Sequence, residues 1–188
     1  MTYAGLSSSS MAESSSIRWL AVIASTGTQE AAIARMRFLV GAVQWPDRPL
    51  LIPSVDAEIG EAVIWDRRGA ASLLQAVAAS TAFPATAPPI TIDGRRYIDG
   101  ALRAGTNLDL AGEARVVIVA EPMAHRYGTS SSTAAGAQEV VRLVPDADAI
   151  KVLGPDLTDL TAWVPAYQAG VRQAPSVAER ITASSAVM

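Results

Sequence analysis

The sequence predicts a mixed α/β fold, and three local patterns support this prediction. Alternating apolar residues flank Asp93-Gly94 in the stretch Ile90 to Ile98, which favours a β-hairpin with a tight turn of positive φ. The run Val116 to Ala120 is apolar throughout, as is typical of a strand covered on both faces of a parallel sheet. The stretch Ala70 to Ala82 is rich in Ala and Leu and is followed by a proline, which predicts a buried helix.

Apolar periodicity and turn residues predict the remaining elements. They are an amphipathic helix over 29–43 that ends at Trp45-Pro46-Asp47, an antiparallel pair of strands over 50–55 and 62–65, a strand over 140–144, and a helix over 157–171 that Pro165 would kink. The stretch 122–138 is rich in small and polar residues and shows no helical stripe, so we expect a loop there. Along the chain we therefore expect a Ser-rich leader over 1–28, a folded domain over 29–172 and a frayed tail over 173–188.

Composition excludes several kinds of function. The 188 residues include no cysteine and a single histidine, which excludes thiol chemistry and a histidine-based zinc site. The net charge of −3 provides no basic footprint for nucleic acid. No apolar run reaches the 18 or so residues that a membrane span needs. We therefore expect a cytoplasmic protein, with at most peripheral membrane contact, that requires no metal or cofactor.

One stretch of the sequence resembles a known family. The helix ending in Phe83-Pro84, the hairpin, the step Asp99-Gly100-Ala101 and the pair Thr106-Asn107 follow one another as in the C-terminal portion of bacterial patatin-like phospholipases. The stretch 51–61 and the strand 116–120 are also similar to corresponding parts of that family. The resemblance covers roughly Trp45 to Gly170 and implies an α/β fold of mixed sheet and covering helices.

The resemblance also implies a chemistry. Patatin-like enzymes hydrolyse lipid and other acyl esters with a Ser-Asp dyad, and the motif match assigns the dyad aspartate to Asp99. A serine hydroxyl is a weak nucleophile until a positioned base accepts its proton, and a carboxylate fixed at a strand end can do this. Gly100 would let the backbone turn sharply beside it. Without the surrounding match, a plain turn would be the better interpretation of Asp99-Gly100.

The nucleophilic serine of that family is not found in this sequence. No G-x-S-x-G occurs, and no glycine-rich oxyanion loop precedes Trp45; the nearest imitation, Gly5 to Ser9 around Ser7, lacks the second glycine. We therefore expect an incomplete domain without its N-terminal strands, inactive by itself and self-associating through unpaired strand edges. The alternative is a non-catalytic pseudoenzyme or interaction module that retains the half-fold.

The other candidate residues are better explained without chemistry. We assign Ser80 to small-residue packing in a helix, His125 to a solvent-facing loop, Asp146 and Asp148 to a solvated turn, and Trp45, Trp65 and Trp163 to core or rim packing rather than lipid contact.

Overall fold

The computed structural model describes residues 27–112, 114–129, 136–155 and 159–186. The chain divides after Asn107 into two compact units. Most of the predicted leader, including Ser7, lies outside the described residues. The mixed α/β class predicted from the sequence is confirmed, because antiparallel and parallel strand pairs both occur together with helices.

The first unit contains an antiparallel sheet with helices. Its elements are α1 (Gln29–Val40), β1 (Ile52–Asp56), β2 (Ala62–Trp65), α2 (Leu73–Ser80), β3 (Ile90–Ile92), β4 (Arg95–Asp99) and the short helix α3 (Ala101–Ala104). The strand order is β2-β1-β4-β3, and every neighbouring pair is antiparallel. The predicted pairing of β1 with β2 is thereby confirmed.

The predicted β3–β4 hairpin is also confirmed. Asp93 and Gly94 form its turn with φ of 48° and 76°, the left-handed conformations that a two-residue turn of this kind requires. Ile90 lies opposite Tyr97 in the hairpin register, and both side chains are buried.

Helix α2 packs on one face of this sheet. Ser72 begins the helix with a capping box, in which its hydroxyl accepts from the Gln75 backbone N–H and the Gln75 side chain accepts from the Ser72 N–H. The core between helix and sheet consists mainly of apolar side chains: Met36, Ile52, Trp65, Leu73, Leu74, Ala76, Ala79, Ile90, Ile92 and Tyr97. The rings of Trp65 and Tyr97 meet edge to face with centroids 4.8 Å apart.

Helix α1 is shorter than the sequence indicated. It ends at Gly41, whose φ of 66° is a left-handed helix cap, rather than at Trp45-Pro46-Asp47. Val43, which fitted the helical periodicity, therefore lies beyond the helix, where its side chain is exposed.

The second unit contains a parallel strand pair and helices. Its elements are a 3₁₀ turn (Leu108–Ala111), β5 (Val116–Ala120), α4 (Ala124–Tyr127), β6 (Glu139–Leu143), α5 (Ala147–Leu153), a second 3₁₀ turn (Leu160–Ala162) and α6 (Trp163–Ala186). The two predicted strands pair in parallel, which confirms their assignment. Within the predicted loop between them, residues 124–127 form the short helix α4.

Strand β5 differs from the prediction in its burial. Its continuous apolar sequence predicted cover on both faces, whereas Val117 and Val119 are buried and Ile118 on the other face is exposed. Among the described strands, β5 and β6 pair only with each other. Self-association through their outer edges stays a prediction.

The C-terminal helix differs from expectation in two respects. Pro165 lies in the first turn of α6, where an intrahelical N–H bond is not required, and the proline inside the helix is Pro175. The frayed tail from residue 173 is wrong for the described residues, since α6 continues to Ala186. Long side chains anchor this half: Gln173 donates to the Val144 carbonyl at 2.7 Å and Arg180 donates to the Arg142 carbonyl at 3.0 Å.

Helices long and apolar enough to cross a bilayer are not found in the ranges described above.

Candidate active site at the end of strand β4

Asp99 is the last residue of β4 and is half-buried. Its Oδ1 accepts a hydrogen bond from the backbone N–H of Ala101 at 2.7 Å, which turns the chain into α3. Its own backbone N–H donates to the Ala82 carbonyl at 3.1 Å, just beyond the end of α2. The sheet, the end of α2 and the start of α3 therefore fix the position of this carboxyl group.

The surroundings of Asp99 make it more basic than a surface aspartate. Burial raises the pKa of this carboxyl, and the hydrogen bond from Ala101 opposes the rise without cancelling it. In the part of the chain that the structure describes, no cationic side chain forms an ion pair with Asp99, and Oδ2 accepts no hydrogen bond. Oδ2 is thus an oxygen with capacity to accept a proton.

Gly100 is required for a reason other than the expected one. Its φ of −70° and ψ of −16° are open to any residue, so it does not supply an unusual turn. A Cβ atom at this position would lie 2.2 Å from the Pro53 carbonyl oxygen and 2.6 Å from the Pro53 carbonyl carbon. Only glycine lets β1 pass this close to the residue after Asp99.

Asn107 closes the loop that follows Asp99, a role that the sequence analysis missed. Its Nδ2 donates to the carbonyls of Gly100 and Gly105, both at 3.0 Å, while its Oδ1 accepts from Arg103 at 3.0 Å. Asn107 has a left-handed φ of 53°, which asparagine tolerates better than most residues. The available signal was Asn107 itself, seven residues after Gly100.

Ser54 lies directly opposite Asp99 in the β1–β4 register and was also missed. Opposed residues of an antiparallel pair project from the same face of the sheet, so Ser54 and Asp99 share a face. Ser54 is completely buried, and its hydroxyl accepts from the indole N–H of Trp65 at 2.8 Å. A buried hydroxyl held in this way supports the site and is not an accessible nucleophile.

Asp56 is a second buried carboxylate, and no sequence pattern indicated it. It is 1% exposed; its Oδ1 accepts from the N–H groups of Glu58 and Ile59 at 2.8 and 3.1 Å. Its Oδ2 lies 3.1 Å from Nε of Arg95 in an ion pair whose geometry is not that of an aligned hydrogen bond. These contacts tie the β1–β2 turn to β4, so we assign Asp56 to the fold rather than to chemistry.

The position of Ser80 agrees with the predicted packing role, whereas the position of His125 does not agree with a solvent-facing loop. Ser80 ends α2, as the packing interpretation requires, and its carbonyl accepts from the Gly100 N–H at 3.4 Å. The solvent-facing assignment of His125 is wrong: both ring nitrogens are buried and find no hydrogen-bond partner among the described residues. His125 follows β5 in the short helix α4.

Asp146 and Asp148 lie at the start of helix α5 rather than in the predicted solvated turn. Asp146 begins α5: its Oδ1 accepts from the Ala149 N–H, and both its oxygens lie 2.8 Å from Arg172. The Ala149 N–H and then the Arg172 guanidinium lower the pKa of Asp146. Asp148 instead pairs with Lys151 on the surface, so each carboxylate has a local structural partner.

A half-buried carboxyl, fixed at a strand end beside a close-packed glycine, defines a candidate acid–base centre in an α/β fold. Residues 53–111 match the family model described as patatin-like phospholipase, a family of lipid hydrolases. This partial match includes Asp99, Gly100 and Asn107, and it confirms the predicted resemblance for that segment; the wider extent to Gly170 stays a prediction. A search of curated proteins found no match to the chain.

Proposed function

We propose that this chain carries the base-containing part of a patatin-like lipid acyl hydrolase, with Asp99 as the base of a Ser-Asp dyad. The substrate class is a lipid or another acyl ester, and the reaction is ester hydrolysis through an acyl-serine intermediate. The observation that carries the proposal is the setting of Asp99 inside the segment that matches the family model. No metal or cofactor takes part in this chemistry.

The hydrogen bonds of Asp99 fit the role of a base. Ala101 holds one carboxylate oxygen, which fixes the rotation of the group, while the other has no partner among the described residues. Burial raises its pKa, so the ionised form accepts a proton more readily than a solvated aspartate does. A serine hydroxyl brought within hydrogen-bond reach of Oδ2 would be deprotonated as it attacks the ester carbonyl.

The chain by itself is expected to be inactive. The sequence contains no G-x-S-x-G elbow, and the serines nearest to Asp99 do not replace it. Ser54 is buried on the sheet and Ser80 ends a helix that packs against the sheet. Without an activated nucleophile, a base alone leaves the ester barrier almost unchanged. Short p-nitrophenyl esters and phospholipid should therefore be hydrolysed no faster than in a buffer blank.

A chimera tests the assignment. Residues from Trp45 onward are joined to a patatin-like N-terminal half that supplies the serine elbow and the oxyanion loop, and ester hydrolysis is measured. Asp99→Asn should lower kcat on the order of 10²- to 10⁴-fold, because it keeps the shape and removes the base. Asp93→Asn is the matched control: Asp93 lies in the hairpin turn with positive φ, which asparagine also adopts, so activity should be retained.

Two results would contradict the proposal. Full activity of the Asp99→Asn chimera would exclude Asp99 as the base, and equal losses in both variants would show that the region matters only for structure. The second candidate function is a non-catalytic module, which the missing serine elbow favours. It would be supported by a chimera that folds but shows no turnover with any acyl ester.

A further inference from the structure

The 3₁₀ turn Leu160–Ala162 and the N-terminal half of helix α6, which follows it directly, expose a stripe of large apolar side chains. The stripe consists of five side chains that are each more than half exposed and are spaced one, three or four residues apart: Leu160, Trp163, Val164, Tyr167 and Val171. Residues at such spacings lie on one side of a helix. We call these five residues the α6 stripe.

The stripe is not the side by which the helix packs. Ala169 is buried, and Gln173 reaches the Val144 carbonyl, which marks the inward face of α6. Residues 167 and 171 lie two residues before and after Ala169, and two residues correspond to a rotation of about 200° around the helix axis. This part of the helix is therefore apolar both inward and outward. Trp163, which the sequence assigned to packing, is 65% exposed.

The stripe is also free of charge. Between Asp159 and Arg172 the sequence contains no Asp, Glu, Lys or Arg. The two flanking charges are already engaged: Asp159 accepts from Thr161, and Arg172 pairs with Asp146. An uncharged apolar stripe does not itself select for anionic partners, whether nucleic acid, acidic protein or anionic lipid.

The side chains of the stripe fit a membrane interface. Trp and Tyr combine an apolar ring with a polar N–H or O–H and therefore concentrate where hydrocarbon meets lipid headgroups. An amphipathic helix with such residues lies in the interface plane with its apolar side in the acyl boundary. Trp163 and Tyr167, which are 65% and 73% exposed, provide two such anchors one turn apart.

A second copy of the chain is a poorer occupant of this surface. A stable protein–protein interface buries about 800 Å² on each partner, with a close-packed and broad contact. A stripe of five side chains along one helix is narrow, so it does not provide a broad, close-packed contact of this kind. The same stripe can enter a lipid interface without any complementary surface.

We infer that the α6 stripe docks the protein on the surface of a zwitterionic lipid bilayer, with Trp163 and Tyr167 inserted at the headgroup level. The choice of lipid rests in part on the proposed function, since a lipid hydrolase meets its substrate in such an aggregate. The docking helix lies outside the matched segment 53–111, so the inference adds a surface that the family match does not include.

Vesicle binding of the full chain tests this. Phosphatidylcholine vesicles are mixed with the protein, and the bound fraction is measured by flotation at low and high salt. Binding is expected at both, because the stripe carries no charge. The double variant Trp163→Ser/Tyr167→Ser should bind on the order of tenfold or more weakly, as two large side chains no longer enter the interface. The matched control is Phe38→Ser, which removes an aromatic ring that is 87% exposed in α1; its binding should equal that of the parent chain.

Fluorescence locates the contact. Brominated phosphatidylcholine quenches tryptophan that enters the interface, and the parent for this measurement carries Trp19→Phe, since Trp19 lies outside the described residues. Quenching should be strong in the parent and lost in the added variant Trp163→Phe, while flotation of that variant persists. Trp163, Tyr167 and Phe38 are exposed side chains, and unchanged circular dichroism spectra confirm that each variant folds.

Four outcomes would overturn the inference: no flotation of the parent chain, equal flotation of the double variant, binding that requires anionic lipid, or a dimer that the double variant dissociates. The last would assign the stripe to a second copy. Vesicle binding needs no turnover, so its failure would leave the Asp99 chimera experiment untouched, and an inactive chimera would leave the binding result untouched.

Discussion

Gly100→Ala probes the packing that positions Asp99. In the native chain the position of an added Cβ lies 2.2 Å from the Pro53 carbonyl oxygen, whereas ordinary contacts of a Cβ begin near 3.4 Å. The neighbour is backbone in the middle of β1, so no side-chain rotation can relieve the overlap. The substitution must separate β1 from the end of β4 by roughly 1 Å.

The cost can be worked from the contacts at stake. Overpacking of a tight site costs about 1–3 kcal/mol. The separation also strains the bond from the Gly100 N–H to the Ser80 carbonyl and the bond from Asn107 to the Gly100 carbonyl, each worth about 1 kcal/mol. We expect the free energy of unfolding to fall by about 2–4 kcal/mol. For a unit of this size that lowers Tm by about 8–30 °C.

Thermal and urea unfolding of matched variants provide the assay. Gly69→Ala is the control within the same unit: its added Cβ would meet its nearest atom at 3.5 Å, an ordinary contact, and its φ is not positive. Tm of this control should stay within a few degrees of the parent. Equal Tm values for Gly100→Ala and Gly69→Ala would refute the close approach of β1 and with it the account of why glycine follows Asp99.

Three further predictions concern single side chains. Asp99→Asn should stabilise the first unit at neutral pH. Burial raises the pKa of the Asp99 carboxyl, so this group favours folding most below its unfolded pKa near 3.8. The contribution is lost as the pH rises through the folded pKa, and asparagine has no charge to bury. Ser54→Ala should cost about 1–3 kcal/mol in urea unfolding, because the Trp65 indole N–H loses its buried acceptor. Asp146→Asn should reduce the loss of stability of the second unit at acid pH. The lowered pKa of Asp146 means that its carboxylate stabilises the fold above its unfolded pKa, and this contribution is lost as the pH falls through the folded pKa. Asparagine cannot form the ion pair with Arg172, so the variant lacks this pH-dependent contribution.

Each of these has a result that would contradict it. A larger pH dependence in Asp99→Asn than in the parent would mean that burial does not penalise this carboxylate. Unchanged stability of Ser54→Ala would mean that the indole finds another acceptor. An unchanged acid limb in Asp146→Asn would assign the acid sensitivity of the second unit to other carboxylates.

Local signals predicted most of the first unit because its elements are specified by neighbouring residues. The Asp93-Gly94 turn and the alternation around it determine the hairpin, and a cap and a following proline delimit α2. The apolar spacing continues to Val43, whereas helix α1 ends at the left-handed Gly41, so the spacing predicts a longer helix than the structure has. Periodicity does not by itself indicate where a helix ends.

The second unit was harder to predict because its stability depends on distant contacts. The sequence predicts a frayed tail over 173–188, yet Gln173 and Arg180 donate to carbonyls more than twenty residues away and the helix continues through Pro175 to Ala186. The exposure of Trp163 could not be predicted either. A tryptophan at helical spacing is usually buried, and only the position of the inward face shows that this one points outward.

The candidate site shows the same division between local and distant causes. Asp99 could be selected from its motif, but the reasons for its position lie elsewhere in the chain. The Pro53 carbonyl excludes any side chain at residue 100. The carbonyls of Ala82 and Ser80 accept hydrogen bonds from the N–H groups of Asp99 and Gly100. A plain turn would need neither the close approach nor these long-range bonds, because a turn is satisfied by its own residues. The Asp-Gly step is instead built into the junction of sheet and helix, where a carboxyl group is held half-buried at a cost to stability. A carboxyl held at such a cost is what a general base requires, and the chimera experiment decides whether Asp99 uses it.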